Sequence, residues 1–256
     1  INSFLTSNSF DCLTIKPLEA IINNLISFSL LADSLSIETH DNFSLWYENF
    51  VYSVFDFNKL MISLRSTILK SDISVLEQSI CNNLKSLIKI YLKFPSLKLK
   101  IMNLIIGLIN SIYGDEKGGK NSDDKKTKNK QPSLLSYLGD SHSKILLNSL
   151  AIDLEGTLID FNLKNSLYDF FANVLEKNQE GLSIMLLTGV SNQKKKDAKS
   201  QTGKSILQIL KQNVINLNTY PDSVAIHLLD AISFAFNSWS TAQKIGEDDA
   251  KFIESL

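Results

Sequence analysis

Two carboxylates separated by one residue form the first pattern in this sequence with a capacity for chemistry. Asp153 and Glu155 lie in the segment LAIDLEGTL, where Gly156 and Thr157 follow them directly. An aspartate can attack phosphorus and form a covalent intermediate, and a second carboxylate beside it can act as general acid and base. The pattern therefore raises the hypothesis of a phosphoryl-transfer site at Asp153.

The surrounding motifs resemble those of the haloacid-dehalogenase-type phosphatases. That resemblance implies a second motif in the segment LLTG at 186–189, a charge-neutralising Lys204, and magnesium ligands in the acidic run 247–249. The fold requires a buried parallel strand before each motif, which reads as a continuous run of Val, Ile and Leu. The residues before Asp153 are NSLAI, which is no such run. We therefore favour a connection between helices with acids at a helix end, and keep the phosphatase as the alternative.

A second pattern, AKSQTGKS at 198–205, fits the permissive form of the phosphate-binding P-loop. A P-loop follows a strand directly, and its backbone N–H groups hold phosphates at a helix N-terminus. Here the preceding residues are KKKD, which do not form a strand. We interpret the match as a chance pattern in a lysine-rich loop that leads into a helix.

Metal ligation and nucleophilic catalysis find no support in the sequence. The three histidines, His40, His142 and His227, are not at ligand spacing with one another or with Cys12 or Cys81. No Ser or Cys lies in a nucleophile-elbow motif. His227 lies among apolar residues, as core or interface histidines do. We therefore predict no catalytic residue, no metal ligand and no cofactor.

Net charge and hydropathy restrict the classes of partner. The chain has 26 basic and 27 acidic residues, so no overall field attracts nucleic acid or an anionic membrane. Partner recognition must therefore be local, and we expect no direct nucleic-acid binding. The most apolar run, 101–113, is too short to span a bilayer. The chain starts at Ile1 without a leader pattern, which we interpret as a segment of a longer intracellular protein.

Hydrophobic periodicity predicts an all-α fold. Apolar residues recur at spacings of three and four through most of the chain, which places them on one helix face. Pro17, Pro95, Pro132 and Pro221 each stand where a helix is predicted to begin. The run 182–187 is compatible with a short strand or a buried helical turn. The predicted helices span 18–35, 43–68, 72–91, 97–112, 133–148, 163–177, 204–217, 222–239 and the residues from 248 onward.

Two polar segments interrupt the predicted helices. Residues 114–131 and 191–203 are rich in lysine and contain no large apolar residue, so we predict that both are disordered loops. The chain then divides into a helical part at 1–113, a linker loop, and a second helical part at 132–256. We predict an irregular helical-repeat segment, an α-solenoid of HEAT or ARM type.

The second half of the chain resembles the large inner-ring scaffold nucleoporins of the nucleoporin-188/192 family. The resemblance lies in the phrases QEGLSIMLLTG at 179–189, LLDAISFAFNSW at 228–239 and KFIESL at 251–256. It implies a non-catalytic α-solenoid of the nuclear pore complex at the nuclear envelope, which supports nucleocytoplasmic transport of protein and mRNA. It further implies binding to other nucleoporins, including linker nucleoporins through short helical segments. A generic HEAT-like adaptor is the non-enzymatic alternative.

Replacement of either polar segment, 114–131 or 191–203, by a short Gly/Ser linker should change stability little. The segments carry no apolar anchor, and loop-closure entropy varies slowly with loop length. Thermal unfolding followed by circular dichroism measures the effect. A fall in melting temperature of more than about 10 °C would show that the replaced segment is structured.

Overall fold

The structure is a computed structural model that describes residues 41–66, 75–114, 132–156, 160–177, 179–189 and 205–237. All regular secondary structure in these ranges is helical, with nine α-helices and two short 3₁₀ helices. The all-α prediction is therefore confirmed, while the solenoid arrangement stays a prediction. The chain forms two compact units, Ile1–Pro132 and Ser133–Leu256.

The first unit is built on the packing of two long helices. Its elements are α1 (Asp41–Leu64), α2 (Val75–Asn82), α3 (Leu84–Lys93), a 3₁₀ turn (Pro95–Leu97) and α4 (Lys98–Tyr113). Helix α4 packs most extensively along α1. The buried residues of α1 include Val51, Phe55 and Ile62, at spacings of four and seven, and those of α4 include Ile101 and Leu108. The three-to-four spacing of apolar residues thus forms the core of this unit.

The predicted helix 72–91 is two helices in the structure, which begin and end on either side of Asn83. Asn83 has φ −102° and ψ 11°, and its side-chain amide donates to the carbonyl of Ser79 at 2.9 Å. The backbone N–H of Asn83 also donates to that carbonyl, at 3.2 Å, so the break between the two helices lies in the backbone angles of Asn83. Helix α3 also contacts α4, but α4 packs mainly on α1.

A buried ion pair lies in the first unit. Arg65 Nε donates to Glu77 Oε1 at 2.7 Å, and the Glu77 side chain is fully buried. Arg65 Nη2 also donates to the carbonyl of Ser111 at 3.2 Å, and the Ser111 hydroxyl donates to Glu77. These bonds connect the end of α1, helix α2 and helix α4. Burial and, secondarily, the negative charge of Glu77 raise the pKa of the nearby Cys81 thiol to about 12.

The second unit contains five helices in its described part. They are α5 (Leu134–Glu155), α6 (Phe161–Glu176), α7 (Glu180–Thr188), α8 (Ile206–Ile215) and α9 (Asp222–Asn237), with a 3₁₀ turn (Leu217–Thr219) before α9. Helices α6 and α9 share the most extensive contact. Tyr168 and Phe171 of α6 and Val224 and Leu228 of α9 are almost completely buried. This pair therefore forms the centre of the unit.

Two glycines in the second unit have left-handed backbone conformations. Gly139 interrupts α5 with φ 68°, and the helix is bent there. Gly189 ends α7 with φ 71°, and its N–H donates to the carbonyl of Met185 at 2.8 Å. Only glycine adopts this conformation without steric cost. The glycine of the LLTG segment is therefore the C-cap of a helix.

Helix α9 is buried on one side only. Val224, Leu228 and Ile232 are buried, whereas Leu229 and Phe234 are 41% and 37% exposed. Trp239, at the end of the predicted helix 222–239, lies outside the described residues.

Some sequence predictions fall outside the described residues. They are the helices at 18–35 and from 248 onward, the loop 191–203, and the loop 114–131 apart from Gly114. In the part of the chain that is described, no helix is both long enough and apolar enough to cross a membrane.

Removal of the Glu77 carboxylate should strongly destabilise the first unit. Glu77→Ala leaves Arg65 buried without its partner, which typically costs about 3–5 kcal/mol. Urea denaturation measures the loss, and Asp230→Ala, which removes an exposed carboxylate, is the matched control. The double variant Arg65→Met/Glu77→Leu should lose less, because it removes both charges.

The Cys81 thiol offers a second readout in a Cys12→Ser background. With a pKa of about 12 and 1% exposure, Cys81 should react with iodoacetamide far more slowly than an exposed cysteine. Glu77→Ala should accelerate its labelling through opening of the unit. Wild-type labelling at the rate of a free thiol would contradict the buried position of Cys81.

Candidate functional site

Asp153 and Glu155, the candidate phosphatase carboxylates, lie in the last turn of α5. Residues 148–152 before them are also helical, so no strand delivers Asp153. Residues two apart on a helix leave it on different sides, so the two carboxylates do not converge on one substrate. The N–H of Gly156 donates to the carbonyl of Ile152 at 3.0 Å and closes the helix. The local structure is that of a helix end, as the sequence interpretation favoured.

The other phosphatase motifs are not assembled around Asp153. Residues 182–187 are helical, and the hydroxyl of Thr188 donates to the carbonyl of Ile184 at 2.7 Å. Lys204 and the acidic run 247–249 lie outside the described residues. The described residues therefore do not build a phosphatase site.

The P-loop pattern is described only at its last residue. Ser205 is buried at the N-cap of α8, and its hydroxyl donates to the carbonyl of Leu187. That hydroxyl is therefore engaged within the protein. Residues 198–204 lie outside the described part.

The described histidines form contacts within the protein. His227 Nδ1 is 2.6 Å from Asp169 Oδ1, and both side chains are partly exposed. This contact joins α9 to α6, so His227 is an interface histidine between two helices. His142 Nδ1 is 3.2 Å from the hydroxyl of Ser141, and His40 lies outside the described residues. Over the described ranges, no group of three or more His, Cys, Asp or Glu could hold a metal ion.

A polar cluster in the second unit was missed by sequence reasoning. Asn213 Nδ2 donates to the hydroxyl of Tyr168 at 3.0 Å and to the carbonyl of Leu154 at 3.4 Å. Lys164, which is 3% exposed, donates to the hydroxyl of Tyr220 at 3.2 Å. Its ammonium also lies 4.6 Å from the centroid of the Tyr220 ring. The cluster thus links α5, α6, α8 and the segment before α9.

The chemistry of this cluster is structural. Burial raises the pKa of Tyr168, with a further contribution from Tyr220, so its phenol stays protonated and is a poor nucleophile or base. The contacts of Asn213 hold the end of α5 against α6 and α8. The sequence did contain an indication of a buried polar group. Lys164 stands on the apolar stripe that continues with Leu167, Tyr168 and Phe171.

The most extensive exposed apolar surface on one described helix lies on α1. Trp46, Phe50, Phe57 and Leu60 are all exposed, and Trp46 is 56% exposed. Their spacing places them on one side of the helix, away from the side that carries Val51. The Trp46 and Phe50 rings are stacked, with centroids 5.6 Å apart. Several exposed apolar side chains on one face of a helix are typical of protein interaction sites.

Two comparisons with known proteins agree with one another. Residues 1–190 match the family model for nucleoporin Nup188, N-terminal subdomain III. The nucleoporin NUP188 of Saccharomyces cerevisiae is 33% identical to this chain over 215 residues, which are 82% of the chain. The same stretch is 12% of that relative, so the chain spans about an eighth of its length.

The family match and the sequence resemblance cover different parts of the chain. The match includes the phrase at 179–189 but ends just after α7, before the phrases at 228–239 and 251–256. It also includes the whole first unit, where no family phrase was recognised. It covers 190 of 256 residues and agrees with the all-helical structure. The chain therefore belongs to the Nup188 family of nucleoporins.

Proposed function

We propose that this chain is a structural segment of the nuclear pore complex scaffold at the nuclear envelope, and that it has no catalytic activity of its own. The observation that carries this proposal is its membership of the Nup188 family. Asp153 was the strongest candidate for catalysis in the sequence, but its carboxylate and that of Glu155 point to different sides of α5. This arrangement supports the proposal that the chain has no catalytic activity. A scaffold function requires packed helices and exposed faces, which the described residues provide.

We further propose that the chain is part of an inner-ring α-solenoid that supports transport of protein and mRNA. Its partners are other nucleoporins, including linker nucleoporins that bind through short helical segments. The exposed side of α1 supports this choice, because Trp46, Phe50, Phe57 and Leu60 recur at the spacing that a partner helix matches. No step of this function requires a metal or a cofactor.

A chimera tests the proposed function directly. The stretch of Saccharomyces cerevisiae NUP188 that matches this chain is replaced by the chain, and the product carries a fluorescent tag. We expect it to accumulate at the nuclear rim and to co-purify with the nucleoporins that accompany the unmodified protein. Asp153→Asn should not change either result, because Asp153 has no catalytic role. Leu108→Asp/Leu210→Asp, which disrupts both cores, should abolish stable accumulation.

A stable chimera that stays away from the nuclear rim would contradict the proposal. So would magnesium-dependent phosphate release by the 256-residue chain that is lost in Asp153→Asn.

The second unit should require residues beyond the end of the family match. Ile209 and Leu210 of α8 and Val224 and Leu228 of α9 are almost completely buried, and they cover α5 and α6. A chain truncated after residue 190 should therefore lose protection of the α6 amides in hydrogen exchange. The chain truncated after residue 237 should retain it. Equal protection of α6 in both proteins would show that α8 and α9 are not part of its core.

A further inference from the structure

We draw no further inference here: the strongest candidate, the exposed apolar side of α9 at Ile226, Leu229 and Phe234 in the second unit, is a surface patch on one helix, and nothing in the described part of the chain shows what covers it.

Discussion

The structure depends on the burial of one apolar stripe per helix against another helix. Four of the nine described helices have ten residues or fewer, and isolated helices shorter than about 12–15 residues are marginal in water, so their stability must come from packing. In the first unit α4 has Ile101 and Leu108 fully buried along α1, and in the second α9 buries Val224 and Leu228 against α6 and α8. The described helices therefore depend on their neighbours for stability.

Polar groups within these cores are paired across helices that are distant in sequence. Arg65 bonds to Ser111, 46 residues away, and Asn213 bonds to the carbonyl of Leu154, 59 residues away. An unpaired buried polar group costs about 1–3 kcal/mol, so each such bond favours one arrangement of the helices over alternatives. Apolar packing alone is less selective, because many arrangements of similar volume bury similar area. The polar pairs therefore specify which helices meet and in which register.

Sequence reasoning predicted the helices well where period alone decides the outcome. The predicted helix 97–112 is α4 (Lys98–Tyr113), and the predicted helix 163–177 is α6 (Phe161–Glu176). It failed where the structure depends on the backbone of one residue or on a contact between residues that are distant in sequence. Asn83 divides a region whose apolar period is continuous, because its backbone departs from helical angles. The pair of Arg65 and Glu77 was not predictable, since only tertiary packing brings the two residues together.

At the candidate sites too, a pattern in the sequence has to be distinguished from the arrangement of the same residues in the structure. Asp153 and Glu155 attracted an enzymatic hypothesis because a motif search reads residue order, but the α5 helix directs the two carboxylates to different sides. Lys85, Lys89 and Lys93 on α3 have the opposite character, since they match no motif and only helical spacing places them on one exposed face. The net charge of the chain does not show them, because acids elsewhere in the chain balance the five lysines between Glu77 and Asp115. In a helical scaffold, the period that buries Leu84, Leu87, Ile88 and Tyr91 also aligns the residues of the opposite face. The composition of each exposed face in such a protein therefore follows from helical period, and no catalytic motif indicates it.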